Sequence, residues 1–242
     1  MKILSIGDLH GRDDWKTMGD INQLINGDDT KPQYDKYIFV GDYTDSFDKT
    51  NVEIMDNLKD IISFKKLYSD NVVLLIGNHD LQYWYSYNTH GCSGFRSAMY
   101  FDLNELFRDN RDLFQASFYL EYDNQKYLWT HAGIHRGWYE FEFPYKNVNI
   151  GEDLNLAFKM NESSLFDVGN RRGGFKNAGG PFWADKSETW AKPLMGYHQI
   201  VGHTRIDKII YREINKNTSV TYIDCIENGN PSPHILELPE KE

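Results

Sequence analysis

Three short apolar runs, each closed by a glycine and a polar residue, constrain the fold of this chain more than any other feature. Residues 2–6 (KILSI) end at Gly7-Asp8, residues 36–40 (KYIFV) at Gly41-Asp42, and residues 72–76 (VVLLI) at Gly77-Asn78-His79-Asp80. Apolar runs of this length without alternation read as strands buried on both faces. Between them apolar residues recur at helical spacing: Trp15, Met18, Ile21, Leu24 and Ile25 over 14–26, then Val52, Met55, Leu58, Ile61, Ile62 and Leu67 over 51–68. Strands alternating with helices imply a mainly parallel sheet covered by helices. Ligands of such sheets gather at the carboxyl ends of the strands. Asp8, His10, Asp42, Asn78 and His79 are therefore expected on one rim, although they are far apart in the chain.

The remaining segments read less regularly. Residues 94–114 look helical. Residues 117–122 and 126–130 flank Asp123-Asn124-Gln125 and predict a hairpin. A helix is expected at 152–160, and an irregular loop over the Gly- and Arg-rich stretch 168–181. Strands are expected at 198–202, 207–213, 218–224 and 234–238. No repeat or tether interrupts the 242 residues, so residues 1–242 are expected to form a single domain, long enough to bury a sizeable core.

Lys and Arg number 26 against 36 Asp and Glu, a formal charge of −10. That balance disfavours general binding to a nucleic-acid backbone. Bound cations would neutralise part of it. Two cysteines, Cys92 and Cys225, are too few for a disulfide framework and suggest a reducing, cytoplasmic setting. The apolar start runs straight into Gly7-Asp8 and reads as a strand rather than a signal peptide. No apolar run approaches the roughly 20 residues that span a bilayer.

The polar residues at the strand ends are carboxylates, imidazoles and an amide, a donor set for a hard or borderline divalent ion. The absence of thiolates argues against a structural zinc site. His131 and His203 end later apolar segments. Asp8, His10, Asp42, Asn78, His131 and His203 would suffice for two ions if one carboxylate were shared. Singly, each has a plainer explanation. Asp8 and Asp42 each precede a helix and suit an N-cap; His131 suits a satisfied core histidine. His135 stands close enough to rival His131. Tyr83, Trp84, Tyr85 and Tyr87 suit either a stacking platform or simple packing. His90, His198 and His234 carry no assignment.

Taken together, GDLHG (7–11), GDYTD (41–45), GNHD (77–80), HAG (131–133) and GHT (202–204) resemble the calcineurin-like metallophosphoesterases, in their order. The similarity is to the phosphoprotein phosphatase branch, including its small bacterial and viral members, and to diadenosine tetraphosphatase-like members. FWAD (182–185) and YID (222–224) extend it over nearly the whole chain. The resemblance implies an α/β fold, a two-sheet β-sandwich flanked by helices in four layers. It implies a first metal on Asp8 and His10, Asp42 as the bridge, and a second metal on Asn78, His131 and His203. His79 would be the general acid and Asp45 its orienting carboxylate. The implied reaction is hydrolysis of a phosphate monoester by a hydroxide shared between two divalent ions, with Mn²⁺ favoured and Fe or Zn²⁺ suitable. The substrate would be a phosphorylated protein, small molecule or nucleotide, and neither a membrane nor an obligate protein partner is implied. Dinucleoside polyphosphate hydrolysis, phosphodiesterase activity and an inactive metal-binding scaffold are the rival readings.

One departure bears on specificity. Thr44-Asp45-Ser46-Phe47 stands where the phosphoprotein phosphatases have Val-Asp-Arg-Gly, so the phosphate-clamping arginine is gone. Asp80 replaces that branch's glutamate, as in the tetraphosphatase-like members. Arg171 and Arg172 are the candidates for a replacement clamp, with Arg205 as a second choice.

Overall fold

The computed structural model describes residues 1–27, 31–84 and 91–239. In its first half the chain alternates as the apolar pattern requires: β1 (Lys2–Ile6), α1 (Ile21–Ile25), β2 (Lys36–Phe39), α2 (Asn51–Leu67), β3 (Val72–Leu75), α3 (Asn78–Trp84), α4 (Tyr100–Asp109) and β4 (Phe114–Gln115). The second half follows with β5 (Ser117–Tyr122), β6 (Gln125–Thr130), α5 (Arg136–Phe141), α6 (Ile150–Lys159), α7 (Lys186–Ala191), β7 (His198–Val201), β8 (Ile210–Asn215), β9 (Thr218–Tyr222) and β10 (His234–Glu237).

Two five-stranded sheets result. The first has the order β10-β1-β2-β3-β4, parallel except for β10, and the second the order β5-β6-β7-β9-β8, with β6, β7 and β9 parallel. Strand periodicity divides the residues of β1–β3 between two cores. Ile3, Ile38, Val73 and Leu75 face Trp129, Ile200 and Ile223 of the second sheet. Leu4, Ile6, Tyr37, Phe39 and Leu74 face outward and pack on Trp15 and on Ile54, Leu58 and Ile61 of α2. Burial of such side chains stabilises by roughly 1.5–3 kcal/mol each. The Trp129 indole N–H donates to Ser5 Oγ at 2.9 Å and fixes one sheet on the other through a satisfied buried polar pair. The fold is thus an α/β sandwich of two mixed sheets flanked by helices.

Several elements differ from the sequence expectation. The 14–26 helix is split into a 3-10 turn, Asp14–Thr17, and the short α1, because Gly19 between them takes φ 57°. The 94–114 helix is cut down to α4, with 3-10 turns at Ser97–Met99 and Arg111–Leu113, and the chain is already extended at Phe114. The expected strand at 207–213 starts at Ile210. Helices α5 and α7 were not anticipated. Asp185 and Glu188 close a capping box on α7, and His135 caps α5 by accepting from the Gly137 and Trp138 amides. His135 is thereby engaged away from the strand-end cluster. Among the described residues, no helix is long and apolar enough to cross a membrane.

Candidate active site

Six strand ends from the two sheets point at one place. Asp8 follows β1, Asp42 follows β2 and Asn78 opens the helix after β3; His131, His203 and Asp224 follow β6, β7 and β9. The backbone there is unusual. His10, Asp42, Asp45 and His203 have φ of 47°, 54°, 56° and 67°, the left-handed region that side-chain-bearing residues seldom occupy. Such strain persists only where the surroundings enforce it. Two glycines provide the space. A Cβ on Gly77 would lie 2.1 Å from Asp42 Oδ1, and one on Gly202 would lie 2.0 Å from Asp8 Oδ1.

Hydrogen bonds behind the cluster aim its donors. The Nδ1 of His131 is 2.8 Å from the Val40 carbonyl, and the Nδ1 of His10 is 3.0 Å from that of Thr44. Carbonyls only accept, so both Nδ1 atoms carry a proton, and both Nε2 atoms are the ring nitrogens aimed inward. His131 Nε2 then lies 2.8 Å from Asn78 Oδ1, 3.2 Å from His203 Nδ1 and 3.4 Å from Asp42 Oδ2. His10 Nε2 lies 3.8 Å from the same Asp42 oxygen. His10, Asp42 and His79 form one group with ligand atoms within 4.8 Å of one another, and Asp42, His131 and His203 form a second, so Asp42 belongs to both. Asp8 stands beside them, its Oδ2 accepting from the His203 amide at 2.8 Å.

The charge pattern calls for cations. Asp8 Oδ1, Asp224 Oδ1 and His203 Nε2 are buried without a hydrogen-bond partner among the described residues. A buried orphan of this kind costs about 1–3 kcal/mol, more when charged. Burial and the neighbouring Asp224 and Asp42 push the Asp8 carboxyl well above the usual carboxylate range. Burial and Asp42 push Asp224 up to about 7. Burial opposes ionisation of Asp42 too, but His131 and His79 outweigh it and hold its carboxyl below the usual range. Burial, with His131 nearby, keeps His203 neutral. Converging ring nitrogens, orphaned carboxylate oxygens and the uncharged imidazoles of His10 and His203 fit divalent cations.

The opening onto this cluster is a cavity of about 520 Å³ whose lining includes His10, Asp42, Asn78, His79, Arg172 and Asp224. His79 Nδ1 is 3.0 Å from Asp45 Oδ2. Asp45 also accepts from Gln82 Nε2 at 2.8 Å and from the Tyr83 hydroxyl. Burial would lower the His79 pKa, but the Asp42 charge and the Asp45 contact prevail and raise it to about 8.

Of the candidate clamps, Arg172 reaches this cavity, held by Asp185 at 2.8 Å and by a hydrogen bond to Thr204 Oγ1. Arg171 instead lines a second cavity of about 800 Å³ with His135 and Trp138, because successive residues of the 3-10 turn Asn170–Arg172 point different ways. Arg205 lines the first cavity, paired with Glu227. Of the aromatic run, Tyr83 stacks on Phe95 and Trp84 packs among Phe107, Phe114 and Phe158, so both serve packing; Tyr85 and Tyr87, like His90, lie outside the described residues.

Sequence reasoning left several residues of the site without a role. Asp224 lies two residues beyond β9, the offset that Asp8 has from β1 and His203 from β7, and this regularity was readable. Asp80 accepts from the amides of Asp42, Tyr43, Thr44 and Gly77 and from the Thr44 hydroxyl, tying two strand ends together. Gln82, Cys92 and Glu227 gave no signal.

No curated protein matches the chain significantly. Among solved structures it is similar to a cold-active protein-tyrosine phosphatase of a psychrophilic Shewanella species, with TM-score 0.55 and 17% identity over 98% of this chain and 75% of that one. A point mutant of a cold-active protein tyrosine phosphatase gives TM-score 0.58 and 16% identity over 98% and 75%. These likenesses bear on the fold. The calcineurin-like phosphoesterase model matches residues 1–207, the stretch that holds Asp8, His10, Asp42, Asn78, His131 and His203, and the chain belongs to that family of hydrolases.

Proposed function

We propose that this chain is a dimetal phosphomonoesterase, with residues 1–242 working as one domain. Asp8, His10 and Asp42 would hold one divalent ion, and Asp42, Asn78, His131 and His203 the other. The observation that supports this most is the position of Asp42 Oδ2, within 3.8 Å of His10 Nε2 and 3.4 Å of His131 Nε2. One carboxylate between two inward-facing imidazoles suits a bridging ligand. Mn²⁺ is the favoured ion, with Fe and Zn²⁺ compatible with the same donors. Two bound ions would supply an acidified water and neutralise the phosphoryl oxygens as charge develops.

The chain's own side chains carry the other steps. His79, protonated near neutral pH, delivers its proton to the leaving oxygen. Asp45 holds the imidazole through Nδ1 and stabilises its charge. Arg172 contacts the non-bridging phosphoryl oxygens, and its own orientation is set by Asp185 and Thr204. With a net charge of −10, substrate attraction is local to the ions and Arg172. A phosphorylated protein or small molecule is the substrate class, and a chain with two cysteines, Cys92 and Cys225, suits a cytoplasmic setting.

The test compares chelated and Mn²⁺-reconstituted protein on p-nitrophenyl phosphate, its bis ester, a phosphopeptide and a dinucleoside tetraphosphate. Metal-dependent turnover with monoesters preferred is expected. Preference for the bis ester or the tetraphosphate overturns the monoesterase reading, and no turnover at full metal occupancy overturns catalysis.

A further inference from the structure

We propose that Phe47 and Arg205 form an aromatic platform at the mouth of the cavity, receiving the leaving group of an aryl phosphate ester. Phe47 is 69% exposed, although Asp45 and Ser46 immediately before it are buried. The ring is open to solvent on the wall of a polar cavity, where a bound group can cover it. It lines the same cavity as His79 and Arg172. Its position is tied to the chemistry, since Asp45, two residues earlier, carries the hydrogen bond to His79. On the phosphoesterase reading, on which this inference rests, His79 protonates the leaving oxygen. The leaving group departs into the cavity whose lining includes both His79 and Phe47.

Arg205 completes the surface. Its guanidinium lies over the Phe47 ring, 5.9 Å from the centroid, and is paired with Glu227, whose side chain is 5% exposed. A ring carrying a cation near one face, with most of its surface open, is prepared to stack a second π system. An alkyl leaving group such as a serine side chain gains little there. A nucleobase offers a π face too, but attached through a ribose it would lie further from the leaving oxygen than an aryl ring bonded directly to it.

The experiment measures competitive inhibition of the Mn²⁺-loaded chain by phenylphosphonate, methylphosphonate and adenosine 5′-monophosphate, for wild type, Phe47→Ala and Phe47→Trp. Phe47→Ala should weaken phenylphosphonate on the order of tenfold, leave methylphosphonate within about twofold, and be restored by Phe47→Trp. Equal changes for the two phosphonates, or none, overturn the platform. A loss larger for the nucleotide than for phenylphosphonate overturns the aryl assignment. Calorimetric binding of the same phosphonates reads the platform without turnover, so an inactive wild type that still discriminates sinks the phosphoesterase reading and with it the leaving-group role, and leaves the aryl-binding surface standing.

Discussion

His79 Nδ1 lies 3.0 Å from Asp45 Oδ2, and the Asp45 backbone is held at φ 56° to make that contact. The same carboxylate accepts from Gln82 and Tyr83, so all its bonding capacity on this side is directed by α3. The imidazole is half-buried, which alone would favour its neutral form. The charges of Asp42 and Asp45 reverse that preference and raise its pKa to about 8. The strain at Asp45 thus accompanies a histidine that keeps its proton at neutral pH.

The activity should therefore fall as pH rises through about 8, because the acid form of His79 is lost there. Asp45→Asn removes one of the charges that raise this pKa, leaving that of Asp42, and should move the alkaline fall to lower pH. His79→Asn should cost roughly 10²–10⁴-fold on alkyl phosphates. On p-nitrophenyl phosphate, whose leaving group needs little protonation, it should cost much less. Rate measurements on both substrates over pH 6–10 check this, and equal losses on both would remove His79 from the acid role.

Tyr83→Phe tests the support behind Asp45. The Tyr83 hydroxyl donates to Asp45 and accepts from the Arg96 amide at 2.9 Å. Its removal leaves the carboxylate with one fewer donor and should destabilise the fold by about 1–3 kcal/mol, measured by urea unfolding. A weaker hold on Asp45 should also lower kcat with little change in KM. A change confined to KM would mean that Tyr83 acts on substrate and not through Asp45.

Much of this site was legible because apolar strands that stop abruptly at Gly-Asp or Gly-Asn announce both the strand and its functional end. Asp8, Asp42 and Asn78 converge for that reason, and His131 and His203 join them because β6 and β7 are parallel strands of the facing sheet. What stayed hidden depends on three-dimensional detail. The left-handed backbone at His10, Asp42, Asp45 and His203 occurs without glycine at those positions, so no residue type marks it. Arg171 and Arg172 are adjacent in sequence, and only the turn geometry sends one to each cavity. Helix α7 was readable through its Asp185–Glu188 capping box but carries too short an apolar stripe to announce itself.

Asp80 is the residue on which the geometry of Asp42 depends most. Its carboxylate takes four backbone N–H groups from the ends of β2 and β3. Burial and the Asp42 charge push its pKa up to about 7, while those amides pull it down. Asp80→Ala strands four buried donors at about 1–3 kcal/mol for each that water cannot reach. The expected result is loss of more than about 3 kcal/mol of stability and of high-affinity metal binding together. Asp80→Asn, keeping one acceptor oxygen, should retain more of both. Full metal affinity in Asp80→Ala would show that Asp42 is positioned by other contacts.

The carboxylates of the cluster also set how stability depends on pH. Asp8 and Asp224 have folded-state pKa values above the unfolded value, Asp224 at about 7. Between the unfolded and folded values the native chain binds more protons than the unfolded chain, so stability falls as pH rises through that window. His131, also raised, acts in the same direction as its proton is lost. His10 and His203, with lowered values, act oppositely, but only below about 6.5, where the unfolded imidazoles gain protons. His79, raised to about 8, titrates in the same window and acts in the same direction, so from pH 6.5 to 8 the carboxylates and His79 lower stability together. Chelated protein should lose about 5 °C of melting temperature over that range. With saturating Mn²⁺ the sign should reverse, because metal binding needs the same groups deprotonated and strengthens as pH rises. Parallel melting curves with and without Mn²⁺ from pH 6.5 to 8 decide the matter. Identical slopes in the two series would mean that the strand-end cluster is not where the cation charge is received.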